Sequence, residues 1–255
     1  MPFVKHRDGA PPGFFAAEAA GLRWLAAAGG VRCVPVIGYD DTSLTLPRLV
    51  SVPPTAAAAY EFGVHLAVTH DAGAQGFGAG PDRYCGPGFF GPMSAPMPMA
   101  LRSHDSWGEF YACERLTPMA ELAGPRLGDR VRRLVDEVIV RCRDRAFDDD
   151  DVPARLHGDL WSGNVMWTAD AVVLIDPAAH GGHRETDLAM LELFGCPFLS
   201  EVLAGYQSVR PLRDGWRLRR GLHQLYPLLA HVVLFGGAYR HDVETAAASA
   251  LQLCS

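Results

Sequence analysis

The residues able to do chemistry crowd between His157 and Asp187. The string His157-Gly158-Asp159-Leu160-Trp161-Ser162-Gly163-Asn164 presents an Asp and then, five residues later, an Asn. Asp176 closes the next apolar run and Pro177 follows it. Phosphoryl transfer needs little covalent help. It needs a group to orient and deprotonate the acceptor hydroxyl, and ligands for a metal bridging the phosphates. Mg²⁺ takes oxygen ligands and few carboxylates. Asp159 therefore suits the base, and Asn164 and Asp176 suit the metal. An Asp can accept the hydroxyl proton late, so its pKa need not sit near neutrality. Gly158 and Gly163 allow a tight loop against a substrate. A lone Asp in a loop reads as a surface turn, but this ordered set does not.

His157-Gly158-Asp159 with Asn164 resembles the catalytic loop of the protein-kinase-like superfamily. Gly158, where protein kinases usually carry Arg, resembles the small-molecule branch, such as aminoglycoside and choline kinases. A longer pattern resembles the fructosamine kinase (ketosamine-3-kinase) family. It runs from His157 to Asn164, through Ile175-Asp176-Pro177-Ala178, to His183-Arg184-Glu185-Thr186-Asp187-Leu188-Ala189-Met190. Trp161-Ser162 and Arg184-Glu185 are its distinguishing pieces. Phe3-Val4-Lys5-His6, the helix around Glu18, Trp107 to Phe110, Arg115-Leu116, Gly205-Tyr206-Gln207, Gln224 to Tyr226 and Phe235-Gly236 also resemble that family, so the likeness covers nearly the whole chain.

That resemblance implies an α+β, protein-kinase-like two-lobe fold that uses ATP and Mg²⁺. It implies that Lys5 meets the ATP phosphates and that Glu18 holds Lys5. Asp159 would be the base, Asn164 and Asp176 the Mg²⁺ ligands, and His157 and Asp187 supports of the loop. Adenine would lie by residues 46–49, read by the Pro47 carbonyl and the Leu49 N–H. Trp161, His180, Arg184 and Glu185 are candidates for the substrate side. The acceptor would be a hydroxyl, O3 in family terms, of a small or protein-bound ketosamine, in a deglycation role. Lys5 is the only lysine; every other one of the 23 basic residues is Arg. Two features depart from the family. A Gly-rich hairpin precedes the lysine strand there, whereas this sequence starts four residues before Lys5, so the expectation is a truncated small-lobe sheet. His180 stands where the family tends to place an aromatic. Two alternatives stay open: another small-molecule kinase of the same fold, and a non-catalytic, pseudokinase-like protein.

These residues need elements to hold them. Residues 3–6 read as a strand. Residues 14–28 read as a helix with Phe15, Ala19, Leu22 and Ala26 on one face, stopped by Gly29-Gly30. Residues 34–38 and 43–49 read as strands joined by the Asp40-Asp41 turn. Val52-Pro53-Pro54 marks a boundary, giving a partial small lobe over 1–51 and a helical body over 52–255. Helices are expected over 55–69, 107–122 and 128–147, with short strands at 165–167 and 172–175 and helix from 185 onward. Residues 71–103 form a long Gly/Pro/Met-rich loop, of a length that is usually functional or mobile. The acid run 148–151 reads as a solvated turn. His180 and His183 lack a thiol or carboxylate set around them and read as pocket or loop residues. His65 and His70 read as structural or exposed.

Composition sets the limits. The chain has 255 residues, 49% hydrophobic and 20% charged, enough for a substantial core. Its net charge is −6 and it has no Lys/Arg run, so a nucleic-acid or membrane-surface partner has no electrostatic support. Six cysteines (Cys33, Cys85, Cys113, Cys142, Cys196, Cys254) form no CxxC pair, which points to reduced thiols in a cytoplasmic protein and away from zinc. The apolar stretch 225–239 is too short to span a bilayer and reads as a buried helix. The oligomeric state stays open.

Overall fold

A computed structural model describes residues 1–254; the Cys254 side chain lies outside the described residues. The other five cysteines are free thiols. The N-terminal strand β1 (Pro2–His6) pairs antiparallel with β4 (Ser43–Pro47), which pairs with β3 (Gly38–Tyr39). Helix α1 (Phe14–Ala26) covers one face of this sheet. Its Phe14, Phe15, Ala19 and Leu22 bury against Leu44 and Leu46, which alternate inward along β4. Ala26 is exposed, and Trp24 and Leu25 take the helix's second buried face.

The strand expected over 34–38 is not formed. Pro35 has no N–H to give a ladder. Instead β2 (Arg32–Cys33) ends before it, and pairing resumes at Gly38. β2 joins β9 (Val172–Leu174) in parallel, and β9 pairs antiparallel with β8 (Val165–Trp167). The Val52 N–H also donates to the Trp167 carbonyl at 2.8 Å. The N-terminal segment is thus tied directly to the strands that carry Asn164 and Asp176.

The remainder is mostly helical. α2 (Ala56–Asp71) starts at Thr55, whose Oγ1 accepts from the Ala58 N–H. The segment expected as one helix over 107–122 is α3 (Trp107–Phe110), a π turn (Tyr111–Leu116) and α4 (Thr117–Ala123). Pro118 supplies the cause: it cannot donate to the Glu114 carbonyl, so the ladder slips. α5 (Gly128–Arg143), α6 (Glu185–Leu193), α7 (Leu199–Val209), α8 (Trp216–Phe235) and α9 (Arg240–Leu251) complete the body. Leu116, Met119, Leu127, Val135, Leu225 and Leu229 anchor its largest core. The loop 71–103 is not structureless: β5 (Gly88–Phe90) and β6 (Met97–Met99) form a hairpin in it. Another short pair joins β7 (Ala154–Leu156) to β10 (His180–Gly182). Among the described residues, no helix is long and apolar enough to cross a membrane.

α2 and α7 touch through glycine. A Cβ on Gly63 would drive into the Val202 carbonyl, and one on Gly205 into the Tyr60 carbonyl. This close crossing brings His70 of α2 to Tyr206 of α7.

Candidate active site

β7 delivers the chain to His157, and the loop after it is held by buried hydrogen bonds. The Asp187 carboxylate accepts from the His157 N–H at 2.8 Å and the Gly158 N–H at 2.9 Å. Burial raises the pKa of Asp187, but the bond from His70 and the Gly158 N–H outweigh that and lower it. Gly158 has φ +80°, and a Cβ there would strike the Ala178 carbonyl, so no other residue fits. His157 Nε2–H donates to the Ile175 carbonyl at 2.9 Å, and its Nδ1 accepts from the Asp159 N–H. Burial lowers its pKa and keeps it neutral. One imidazole thus fixes the loop bearing Asp159 against the strand end bearing Asp176.

Asn164 locks the other side. Its Nδ2 donates to the Asp159 carbonyl at 2.8 Å, to Asp159 Oδ2 at 3.2 Å and to the Asp176 carbonyl at 3.4 Å. With the amide nitrogen so used, Oδ1 is the atom left for a ligand. Burial pushes the Asp159 carboxyl up to about 7; Asp176 and Asp187 add to this, and the Asn164 bond opposes it. Asp176 has φ +54°, a left-handed backbone that a non-glycine residue seldom adopts. Lys5 Nζ meets Asp176 Oδ1 at 2.9 Å and both Glu18 oxygens, at 2.9 and 2.8 Å. Burial opposes the ammonium, but Glu18 and Asp176 overcome it and raise the Lys5 pKa.

Three carboxyl groups (Glu18, Asp159 and Asp176) therefore share a cleft with Lys5, the only lysine or arginine among its described lining residues. That excess of oxygen ligands and negative charge fits a hard divalent cation. Asn164 Oδ1 and Asp176 could hold it.

The cleft encloses about 530 Å³. Its opposite wall is apolar and aromatic. Phe89, Phe90 and Met93 come from the β5–β6 hairpin and the turn after β5. Trp161, Phe194, His231, Phe235 and Tyr239 come from the body. Trp161 covers Gly163 and meets Phe194 edge-on at 6.4 Å. Of the residues singled out in the sequence, Lys5, Glu18, Asp159, Trp161, Asn164 and Asp176 line the cleft. His157 and Asp187 lie directly behind it. Pro47 and Leu49 do not line it: Pro47 ends β4 opposite Pro2, and Leu49 packs on the small-sheet core. Sequence reasoning missed the wall from Phe194 to Tyr239.

His180, Arg184 and Glu185 are buried away from the cleft lining. The His180 ring lies behind Gly158, and its Nδ1–H donates to the Ala178 carbonyl at 2.8 Å. Burial, with nearby Arg115, holds its pKa at about 3. Glu185 takes two bonds from Arg219, at 2.9 and 2.5 Å. Burial raises Glu185, but His223 and Arg219 override this and hold it at about 2. Arg184 donates to Asp151 Oδ2 at 2.9 Å.

The acid run is not a solvated turn. Asp148 accepts from Ser106 Oγ and the Gly108 N–H at the start of α3. Asp149 and Asp151 meet His183, and Arg213 and Arg210 close around them. His183 therefore sits in a buried ion network with Glu185 and His223, away from the cleft. These three could approach a metal, but Arg219 already occupies both Glu185 oxygens.

Comparisons with known proteins identify the family. A family model described as fructosamine kinase matches residues 2–252. A probable ketoamine kinase of Synechocystis is 34% identical over 248 residues, covering 95% of this chain and 80% of that protein. The crystal structure of a putative fructosamine-3-kinase from Thermobifida fusca superposes with a TM-score of 0.90 at 46% identity, covering 98% of this chain and 85% of that one. An aminoglycoside phosphotransferase superposes with a TM-score of 0.54 at 17% identity, over 92% of this chain and 84% of that one, a likeness of fold alone. The fold is the α+β, two-lobe, kinase-like one.

Proposed function

The chain belongs to the fructosamine kinase family, and from that premise we propose that it phosphorylates O3 of a ketosamine, such as fructosamine or ribulosamine, at the expense of ATP. It is a phosphotransferase with an alcohol acceptor. The observation that carries the reading is the single cleft in which Asp159, Asn164, Asp176 and the Lys5–Glu18 pair face an aromatic wall.

Each residue has a task in this reading. Lys5 binds phosphate oxygens, and Glu18 orients the ammonium. Asp159 hydrogen-bonds the acceptor hydroxyl and takes its proton as the oxygen–phosphorus bond forms and the bond to the departing ADP breaks. A carboxyl lifted to about 7 by burial is basic enough to hold that proton. Mg²⁺, when bound by Asn164 and Asp176, supplies charge neutralisation for the phosphates. Trp161 and the wall behind it offer flat apolar faces to the sugar-derived acceptor. Pro47 and Leu49 remain the proposed adenine-reading backbone. Residues 1–51 contribute the nucleotide side, and residues 52–255 contribute the catalytic loop and acceptor wall. A cytoplasmic setting is part of this reading, and the free thiols support it. The product adduct would break down, which makes the biological role amine or protein repair.

The test is incubation with Mg·ATP and a panel of ribulosamine, fructosamine, an aminoglycoside and choline, with products followed by ³¹P NMR. Phosphate at O3 of a ketosamine is the expected result. Transfer to the aminoglycoside or choline and none to either ketosamine would overturn the assignment.

A further inference from the structure

Behind the catalytic loop runs a chain of buried side chains whose hydrogen-bond direction is set at its Asp187 end. Asp187 accepts from His70 Nε2 at 3.3 Å, and His70 Nδ1 lies 2.8 Å from the Tyr206 hydroxyl. All three residues are 1% exposed or less. They come from three different helices or their edges: α2, α7 and the start of α6.

Donor chemistry fixes the order. An ionised carboxylate can only accept. Asp187 therefore takes the proton of His70 Nε2, and Nδ1 of the neutral ring is left to accept from the Tyr206 hydroxyl. Asp187 in turn receives the His157 and Gly158 N–H groups that set the pitch of the loop before Asp159. We infer that Tyr206 and His70 are positioning residues for the catalytic loop, acting through Asp187 by holding His70 in its Nε2–H form. The closeness of α2 and α7 at Gly63 and Gly205 is what lets His70 and Tyr206 meet.

The inference rests on Asp159 being the base of the proposed kinase, so its test uses two kinds of readout. In ¹⁵N-histidine-labelled protein, with His70 assigned by its loss in His70→Asn, two-bond ¹⁵N–¹H spectra should show a proton on Nε2 and none on Nδ1. Tyr206→Phe keeps the ring that packs on His70 and removes only the hydroxyl. It should lower kcat about tenfold, for ketosamine transfer and for slow ATP hydrolysis alike, with KM for Mg·ATP within about twofold and the fold intact by circular dichroism. A proton on His70 Nδ1, an unchanged kcat in Tyr206→Phe, or a change confined to KM would overturn the inference. If the wild-type chain hydrolyses ATP but phosphorylates no ketosamine, the acceptor assignment falls. The relay is then judged on the tautomer and the hydrolysis rate.

Discussion

Two clusters of charge lie in this molecule, one open and one closed. In the open cluster, Glu18 and Asp176 share one ammonium, Lys5, at the wall of the cleft that Asp159 also lines. In the closed cluster, Asp149, Asp151 and Glu185 are answered by Arg184, Arg210, Arg213 and Arg219, with His183 and His223 between them. Both are rich in ionisable residues, and both lie in or beside the motif region. The difference is one of completed partners. The closed cluster satisfies its charges within the protein and so ties the 148–151 segment to α6 and α8. The open cluster has ligand atoms and negative charge to spare, and that surplus is what a metal–nucleotide complex would meet. Ionisable residues of a site are recognised by unfilled valence more than by their type.

The contrast predicts opposite mutant behaviour. Asp159→Asn should remove the proton acceptor and cost about 10³-fold in kcat. Its melting point should hold or rise, because a buried carboxyl with a raised pKa is costly to the fold. Steady-state rates and thermal melts on the same sample check both parts. Arg219→Met should do the reverse. It leaves Glu185, which is 2% exposed, without its guanidinium. Breaking such a pair costs about 3–5 kcal/mol of stability. Urea unfolding measures the loss, and the specific activity of the folded fraction should stay near wild type.

Acid should dissolve the closed cluster gradually. The folded pKa of Glu185 is held at about 2 against an ordinary 4.5. Its contribution is complete above pH 4.5 and disappears as pH falls through about 2, on the order of 3 kcal/mol in all. Burial and the charges around His223 hold it at about 4 against an ordinary 6.5. The unfolded chain takes up that proton first, so stability also declines as pH falls from 6.5 to 4. Urea midpoints at pH 7, 5 and 4 should fall in that order. A flat series would mean that the cluster is not held by these ionisations.

The same contrast explains what could be read from the sequence. Asp159, Asn164 and Asp176 were legible because their order along a short loop and strand is local, and the chain has only to turn once to gather them. Lys5 and Glu18 were legible from the family likeness and the lone lysine, and the structure joins them to Asp176 across 171 residues of sequence. The acid run and Arg184-Glu185 were misread because their partners, Arg210, Arg213, Arg219 and His223, lie on α8 and the connection before it, and nothing local announces the pairing. Pro35 erased a strand that its apolar neighbours promised, and Pro118 put a π turn into a helix that periodicity drew as regular. The aromatic wall was hidden because Phe194, His231, Phe235 and Tyr239 look like ordinary core residues until the helices bring them to one cleft.

The most direct measurement is Mg·ATP-dependent phosphate transfer to ribulosamine by the wild-type chain, Asp159→Asn and Arg219→Met, assayed side by side at a temperature where all three are folded. The account predicts transfer by the wild type, equal specific activity for Arg219→Met, and background for Asp159→Asn. Transfer by Asp159→Asn at the wild-type rate, or its loss in folded Arg219→Met, would contradict the division between an open, working cluster and a closed, structural one.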